Sequence, residues 1–124
     1  MKKILIVEDE DLLRHNTVKM LALTDFPDKT EVKDFNNATD ALMAVKQFAP
    51  DLIISDFLMP LMDGKEFVGH LREMDECKTT PVILLSAKPY VADAFNDIHI
   101  DFLMKPFLYK NLIGLIEKRL FTVI

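Results

Sequence analysis

Five polar residues stand where short apolar runs end: Glu8 and Asp9 after Ile4-Leu5-Ile6-Val7, Asp56 after Leu52-Ile53-Ile54, Ser86 after Val82-Ile83-Leu84-Leu85, and Lys105 after Phe102-Leu103-Met104. Three acids, a hydroxyl and an ammonium have a shared chemistry if they meet. Two carboxylates about 4 Å apart repel by roughly 4 kcal/mol at an effective dielectric near 20. Either one of them holds a proton or a hard cation lies among the oxygens. Mg²⁺ suits such a set, with Asp9 and Asp56 supplying direct oxygens and Glu8 acting through a water. A carboxylate such as Asp56 can accept a phosphoryl group covalently, while Lys105 offers a point charge and Ser86 a hydroxyl to the phosphoryl oxygens. The pattern is that of phosphoryl transfer, in which the metal neutralises developing charge and the protein supplies position.

Taken singly, these residues are ordinary. The run Glu8-Asp9-Glu10-Asp11 suits any helix start, where the dipole favours negative charge; Ser86 alone reads as a turn residue and Lys105 alone as a surface lysine. Their joint placement at four strand ends is what carries the reading. His15, His70 and His99 show no helical or strand spacing to another ligand and are expected at the surface. Cys77 lies among polar residues without Cys or His partners at zinc spacing and is expected to be a solvated bystander.

The elements that must position the five residues are legible as alternation. Ile4–Val7, Leu52–Ile54 and Val82–Leu85 are too short for helices, rich in branched residues and apolar at every position, as strands buried on both faces are. Residues 31–35 form a weaker edge-strand candidate and Phe102–Met104 a short final strand. Between them, helical spacing links Leu13, Thr17, Met20 and Leu21; Ala38, Ala41, Leu42 and Val45; Phe67, Leu71 and Met74; and Leu108, Leu112, Leu115 and Ile116. Asp63 can cap the third of these helices while Glu66 reaches back to it. A further helix is expected over Tyr90–Asn96, with Pro89 in its first turn. The order β-α, repeated five times, predicts one doubly wound α/β domain over residues 1–124, with helices on both faces of a five-stranded parallel sheet. In such a sheet the ligand crevice lies outside the carboxyl ends of the strands, so the five polar residues converge.

With 124 residues, half of them apolar and 28% charged, the chain can bury one core and dress its surface. No apolar run reaches the roughly 18 residues of a membrane span, which predicts a soluble, cytoplasmic protein with no membrane contact. A formal charge of −5, with no run of basic residues longer than two, gives no footprint for direct nucleic-acid binding.

Ile4–Asp9, Asp51–Gly64, Val82–Ala87 and Phe102–Phe107 together resemble the signature segments of response-regulator receiver domains, the phosphoacceptor modules of two-component systems. The likeness runs essentially end to end and includes the run Asp56-Phe57-Leu58-Met59-Pro60 with Gly64 beyond it, and Lys105-Pro106-Phe107. It implies a flavodoxin-like sheet of order 2-1-3-4-5. It implies Asp56 as phosphoacceptor, Glu8 and Asp9 as metal-binding acids, the Leu58 backbone carbonyl as a further Mg²⁺ ligand, and Ser86 and Lys105 as holders of the phosphoryl oxygens. Phe102 would be the aromatic switch, turning inward as Ser86 moves and altering the surface around the fourth helix, fifth strand and fifth helix. The Lys105–Pro106 bond would be cis. The resemblance further implies a phosphoprotein signalling switch rather than an enzyme, phosphorylated by a histidine kinase or a phosphotransfer protein. Its output would go to a downstream protein or a missing effector domain, with a homodimer as one form it can take on phosphorylation.

Three departures from the family pattern stand out. The stretch from Ser86 to Lys105 is shorter than usual by about one helical turn, residues 24–30 form a longer connection than expected, and Leu58 and Lys88 border the opening of the site. The competing reading is a Mg²⁺-dependent phosphatase or phosphotransferase acting through an aspartyl phosphate. Haloacid-dehalogenase-type enzymes carry a second Asp two residues after the nucleophile; here that place is Leu58, and no cap domain is expected. A third reading is an interaction module that kept the fold without the switch. Because the chain ends at Ile124, it is expected to be a stand-alone receiver or one cut from a longer protein.

Overall fold

The computed structural model describes residues 1–121, so the expected domain end at Ile124 lies outside the described residues. Its elements are β1 (Lys2–Val7), α1 (Asp11–Leu23), β2 (Thr30–Phe35), α2 (Ala38–Phe48), β3 (Leu52–Asp56), α3 (Gly64–Glu73), β4 (Val82–Ser86), β5 (Ile100–Met104) and α4 (Tyr109–Leu120). Short 3-10 turns cover Asp75–Cys77 and Pro89–Ala94. The strands pair in parallel in the order β2-β1-β3-β4-β5. The first connection runs one way along the sheet and the later ones the other way, which puts the switch point between β1 and β3.

Strands β3 and β4 are buried at every position and β1 from Ile4 onward, which is why Ile4–Val7, Leu52–Ile54 and Val82–Leu85 are apolar without alternation and only the strand ends, Ser55-Asp56 and Ser86, are polar. Successive side chains still point to opposite faces. Leu5, Val7, Ile53 and Leu84 pack with Ala41 and Val45 of α2 and Phe67 and Leu71 of α3. Ile4, Ile6, Leu52, Ile54, Ile83 and Leu85 pack on the other face with Leu21 of α1 and Leu112 and Ile116 of α4. The register aligns the carboxyl ends: Val7 lies beside Ser55, Asp56 beside Leu85, and Ser86 beside Met104.

Local signals set the helix ends. The Asn37 side chain accepts from Asp40 N at 2.8 Å and caps α2, which closes on Ala49 in the left-handed region at φ 53°. Asp63 caps α3 as expected, accepting from Glu66 N at 2.9 Å. The return bond from Glu66 is not formed among the described residues.

Four expectations need correction. The helix expected over Tyr90–Asn96 is the 3-10 turn Pro89–Ala94, closed by Phe95 N donating to Ala92 O, because the short connection leaves no length for a packed α-helix. Leu108 is the exposed N-cap residue of α4 rather than part of its apolar stripe, whose fully buried positions are Leu112 and Ile116. Cys77 is only 2% exposed and belongs to the core. Arg72 Nη1 donates to the carbonyls of both Cys77 and Thr80 at 2.8 Å, folding that turn back so that the thiol faces inward. On α1 the buried positions are Arg14, Thr17 and Leu21, while Leu13 and Met20 of the expected stripe are only partly buried.

Candidate functional site

Asp56 closes β3 and is 6% exposed; Glu8, directly after β1, is 2% exposed; Asp9 beside it is open to solvent. Each of the three acids offers an oxygen within 4.8 Å of the others. Lys105, just past β5, reaches across from the far side: its Nζ lies 2.9 Å from Glu8 Oε1 and 3.2 Å from Asp56 Oδ1. The other Glu8 oxygen accepts from Glu10 N at 3.2 Å. Lys105 owes its place to its own backbone N–H, which donates to Ser86 O at 2.8 Å, and it is followed by a cis bond to Pro106.

One ammonium does not balance this much negative charge in so little water. The Asp56 carboxyl is raised from 3.8 to about 7, first by burial and then by the charge of Glu8, with Lys105 pulling the other way. Burial alone would lower the Lys105 ammonium. Its hydrogen bond to Glu8 and the charges of Asp56 and Glu8 outweigh that and raise it. An all-oxygen donor set that is short of positive charge fits a hard divalent cation such as Mg²⁺.

The loop after β3 is shaped to expose this end of the strand. Phe57 N donates to Leu85 O at 2.8 Å, and Gly64 N returns to Phe57 O at 2.6 Å, folding the start of α3 under the strand end. A Cβ on Gly64 would stand 2.9 Å from Phe57 Cα and 3.3 Å from Asp56 O, so only glycine permits the approach. The Leu58 side chain is 58% exposed at the rim.

Ser86 sits at the matching end of β4, but its hydroxyl bonds to the backbone of Lys88, accepting from Lys88 N at 3.0 Å and lying 3.3 Å from Lys88 O. The structure therefore brings Glu8, Asp9, Asp56 and Lys105 into one cluster and leaves the Ser86 hydroxyl engaged beside it. Phe102 on β5 is half-buried and lines a cavity of about 200 Å³ with Leu84, Ser86, Val91 and Ala92. It packs on Phe95 at 5.7 Å, and Phe95 meets Phe57 edge-on at 6.4 Å, so aromatic contact runs from the neighbour of Asp56 to β5. Sequence reasoning missed Phe95, which lies in no periodic segment. It also missed Arg14, although the spacing 14, 17, 21 places that residue on the core-facing stripe of α1.

Residues 4–117 match the family model of the response regulator receiver domain. An uncharacterized response regulatory protein of Vibrio cholerae is 35% identical over 114 residues, covering 91% of this chain and 42% of its own length. The transcriptional regulatory protein PcoR of Escherichia coli is 34% identical over 117 residues, covering 92% of this chain and 49% of its own length. The chain thus spans less than half the length of either relative. Among solved structures, the chemotaxis response regulator CheY4 of Vibrio cholerae superposes with a TM-score of 0.83 at 28% identity, over 97% of this chain and 99% of that one.

Proposed function

This chain belongs to the response regulator receiver family, and from that premise we infer that it is a signalling switch that takes a phosphoryl group onto Asp56 with Mg²⁺ bound beside it. The observation that carries this reading is the cluster of Glu8, Asp9 and Asp56 bridged by Lys105 at the carboxyl end of the sheet. The donor is a histidine kinase or a phosphotransfer protein.

An Asp56 carboxylate oxygen attacks the phosphorus of the donor's phosphohistidine. The phosphorus–nitrogen bond breaks, and its electron pair stays with the imidazole, which takes a proton from solvent. Attack requires Asp56 to be ionised, and its raised pKa means that near neutrality it is only partly so until the acids' charge is met. Glu8, Asp9, Asp56 and the Leu58 backbone carbonyl are the groups that would hold Mg²⁺, which when bound neutralises charge on the transferring phosphoryl oxygens. Lys105, whose ammonium lies 3.2 Å from Asp56 Oδ1, is within reach of a phosphoryl oxygen carried there and would turn to it.

Ser86 completes the response. To donate to the phosphoryl group its hydroxyl leaves the Lys88 backbone, which loosens the entry to the Pro89–Ala94 turn. Phe102, lining the cavity under that turn, moves inward with it and remodels the surface formed by the turn, β5 and α4. That surface is read by a downstream protein, by an effector domain in the full-length protein, or by a second copy of the chain. No described helix is long and apolar enough to cross a membrane, and a cytoplasmic placement goes with this reading.

The test is intact-protein mass after incubation with acetyl phosphate. The wild type gains one phosphoryl group with Mg²⁺ and none with a chelator, and Asp56→Asn gains none under either condition. An equal gain by Asp56→Asn, or one indifferent to the chelator, overturns the assignment.

A further inference from the structure

Arg14 lies on the buried side of α1, 8% exposed, against the turn that carries Glu8 and Asp9. All three guanidinium nitrogens are engaged. Nη1 donates to the Glu8 carbonyl at 2.9 Å, Nε donates to Asp34 Oδ2 at 3.0 Å, and Nη2 stands 2.8 Å from Asp11 Oδ1 and 3.4 Å from His15 Nε2. Asp34 is on β2 directly before Phe35, whose carbonyl accepts from Glu8 N at 3.0 Å. Both polar groups of the Glu8 backbone are therefore tied to the carboxyl end of β2, one directly and one through Arg14.

On the reading that the three acids hold a divalent cation, we propose that Arg14 is a positioning residue whose guanidinium sets the turn that aims Glu8 and Asp9, and thereby the affinity of the site for Mg²⁺. The two acids need this in different ways. Glu8 has side-chain restraints of its own in Glu10 N and Lys105. Asp9 has no hydrogen-bond or ion-pair partner among the described residues and is exposed. Its direction is inherited from the backbone of the turn, and the Arg14 bond to the preceding carbonyl holds that backbone.

A simpler role would be a helix-surface ion pair with Asp11, three residues earlier. Asp11 is largely exposed, and an exposed pair of this kind stabilises a helix only weakly. It also leaves the bonds to Glu8 O and Asp34 without a purpose. A planar, always-charged fork meets three separate acceptors at fixed angles, which the single ammonium of lysine cannot do. Groups that orient metal ligands from behind typically change affinity about 10- to 100-fold when removed.

Charge and position make opposite predictions here. Removing a cation near a cation site tightens Mg²⁺ binding on Coulombic grounds; removing the brace weakens it. The experiment is calorimetric titration of MgCl₂ into the full chain, run well below the melting temperature of each variant. The proteins are wild type, Arg14→Met, Arg14→Lys and Arg119→Met. Arg119 clamps Asp101 and the Ile98 carbonyl, so it controls for the loss of a comparable arginine elsewhere.

Arg14→Met is expected to raise the Mg²⁺ dissociation constant about tenfold, Arg14→Lys to raise it several-fold although net charge is unchanged, and Arg119→Met to leave it within about twofold. If Arg14→Met does not fold, Arg14→Lys decides alone, since a pure charge effect predicts no change for it. Binding by the Arg14 variants as tight as wild type, or tighter, overturns the positioning role and leaves the metal site standing. A wild type that binds no Mg²⁺ overturns the metal reading and this inference with it.

Discussion

Replacing Asp56 with Asn is expected to stabilise the metal-free fold, although it removes the group through which the chain works. Bringing the carboxyl from 3.8 to about 7 corresponds to a ceiling of about 4 kcal/mol of unfavourable free energy once it is ionised, at about 1.4 kcal/mol per pH unit. Burial and the Glu8 charge cause it, and asparagine escapes both while keeping the shape. Part of the gain is returned because Lys105 loses one of its two partners, though Glu8 still holds it at 2.9 Å. A net gain of about 1–2 kcal/mol remains, equivalent to roughly 3–10 °C in melting temperature for a domain of this size.

The sign with pH follows from a folded-state pKa above the unfolded one. The native state binds the proton more tightly, so the wild type is least penalised below about pH 4, loses stability as pH rises towards 7, and levels off above. The gap between Asp56→Asn and wild type should therefore open between about pH 4.5 and pH 8. Thermal or urea denaturation followed by circular dichroism, with chelator present, measures it. Saturating Mg²⁺ should then narrow the gap at pH 8, because a cation at 100 times its dissociation constant stabilises the wild type by about 2.7 kcal/mol. An equal gap at both pH values, or a less stable Asp56→Asn at pH 8, would refute the electrostatic account of the site.

Gly64→Ala should destabilise the fold by about 1–3 kcal/mol, since its Cβ meets the Phe57 backbone at 2.9 Å; urea midpoints check this, and slower phosphorylation by acetyl phosphate should accompany it. Asp97→Asn should cost about 1–3 kcal/mol by weakening the 2.7 Å ion pair with Arg72 that ties the β4–β5 connection to α3. Burial alone would raise the Asp97 carboxyl, but the Arg72 hydrogen bond prevails and lowers it. The pair's contribution is therefore present above the ordinary carboxylate range and lost in acid, so the deficit of Asp97→Asn in denaturant midpoint should shrink as pH falls below about 4. Phe95→Ala should lose about 1–3 kcal/mol, less than a fully buried phenylalanine, because its half-buried ring packs between Phe57 and Phe102, read from the same denaturation curves.

The order of the strands, four of the five expected helices, the doubly wound sheet and the side of the sheet on which polar residues collect were determined by the sequence alone; the form of the connection between β4 and β5, expected as a helix, was not. Strands buried on both faces must be apolar at every position, as Ile4–Val7, Leu52–Ile54 and Val82–Leu85 are. The acids that follow them, Glu8 and Asp9 directly after the first and Asp56, past Ser55, after the second, then fall at the carboxyl ends without any choice of side chain. What sequence could not supply was how the side chains divide their bonds. Lys105 turns to Glu8 and Asp56 together, whereas Ser86 turns to the backbone of Lys88. Cys77, placed in solvent by its polar neighbours, is drawn into the core by an arginine five residues earlier. Arg14, polar and so absent from any apolar pattern, lies buried because three acceptors from two strand ends and a helix start converge on it. Periodicity records which backbone positions face the core. Which polar groups are satisfied there depends on partners far away in sequence, and only the tertiary structure brings those together.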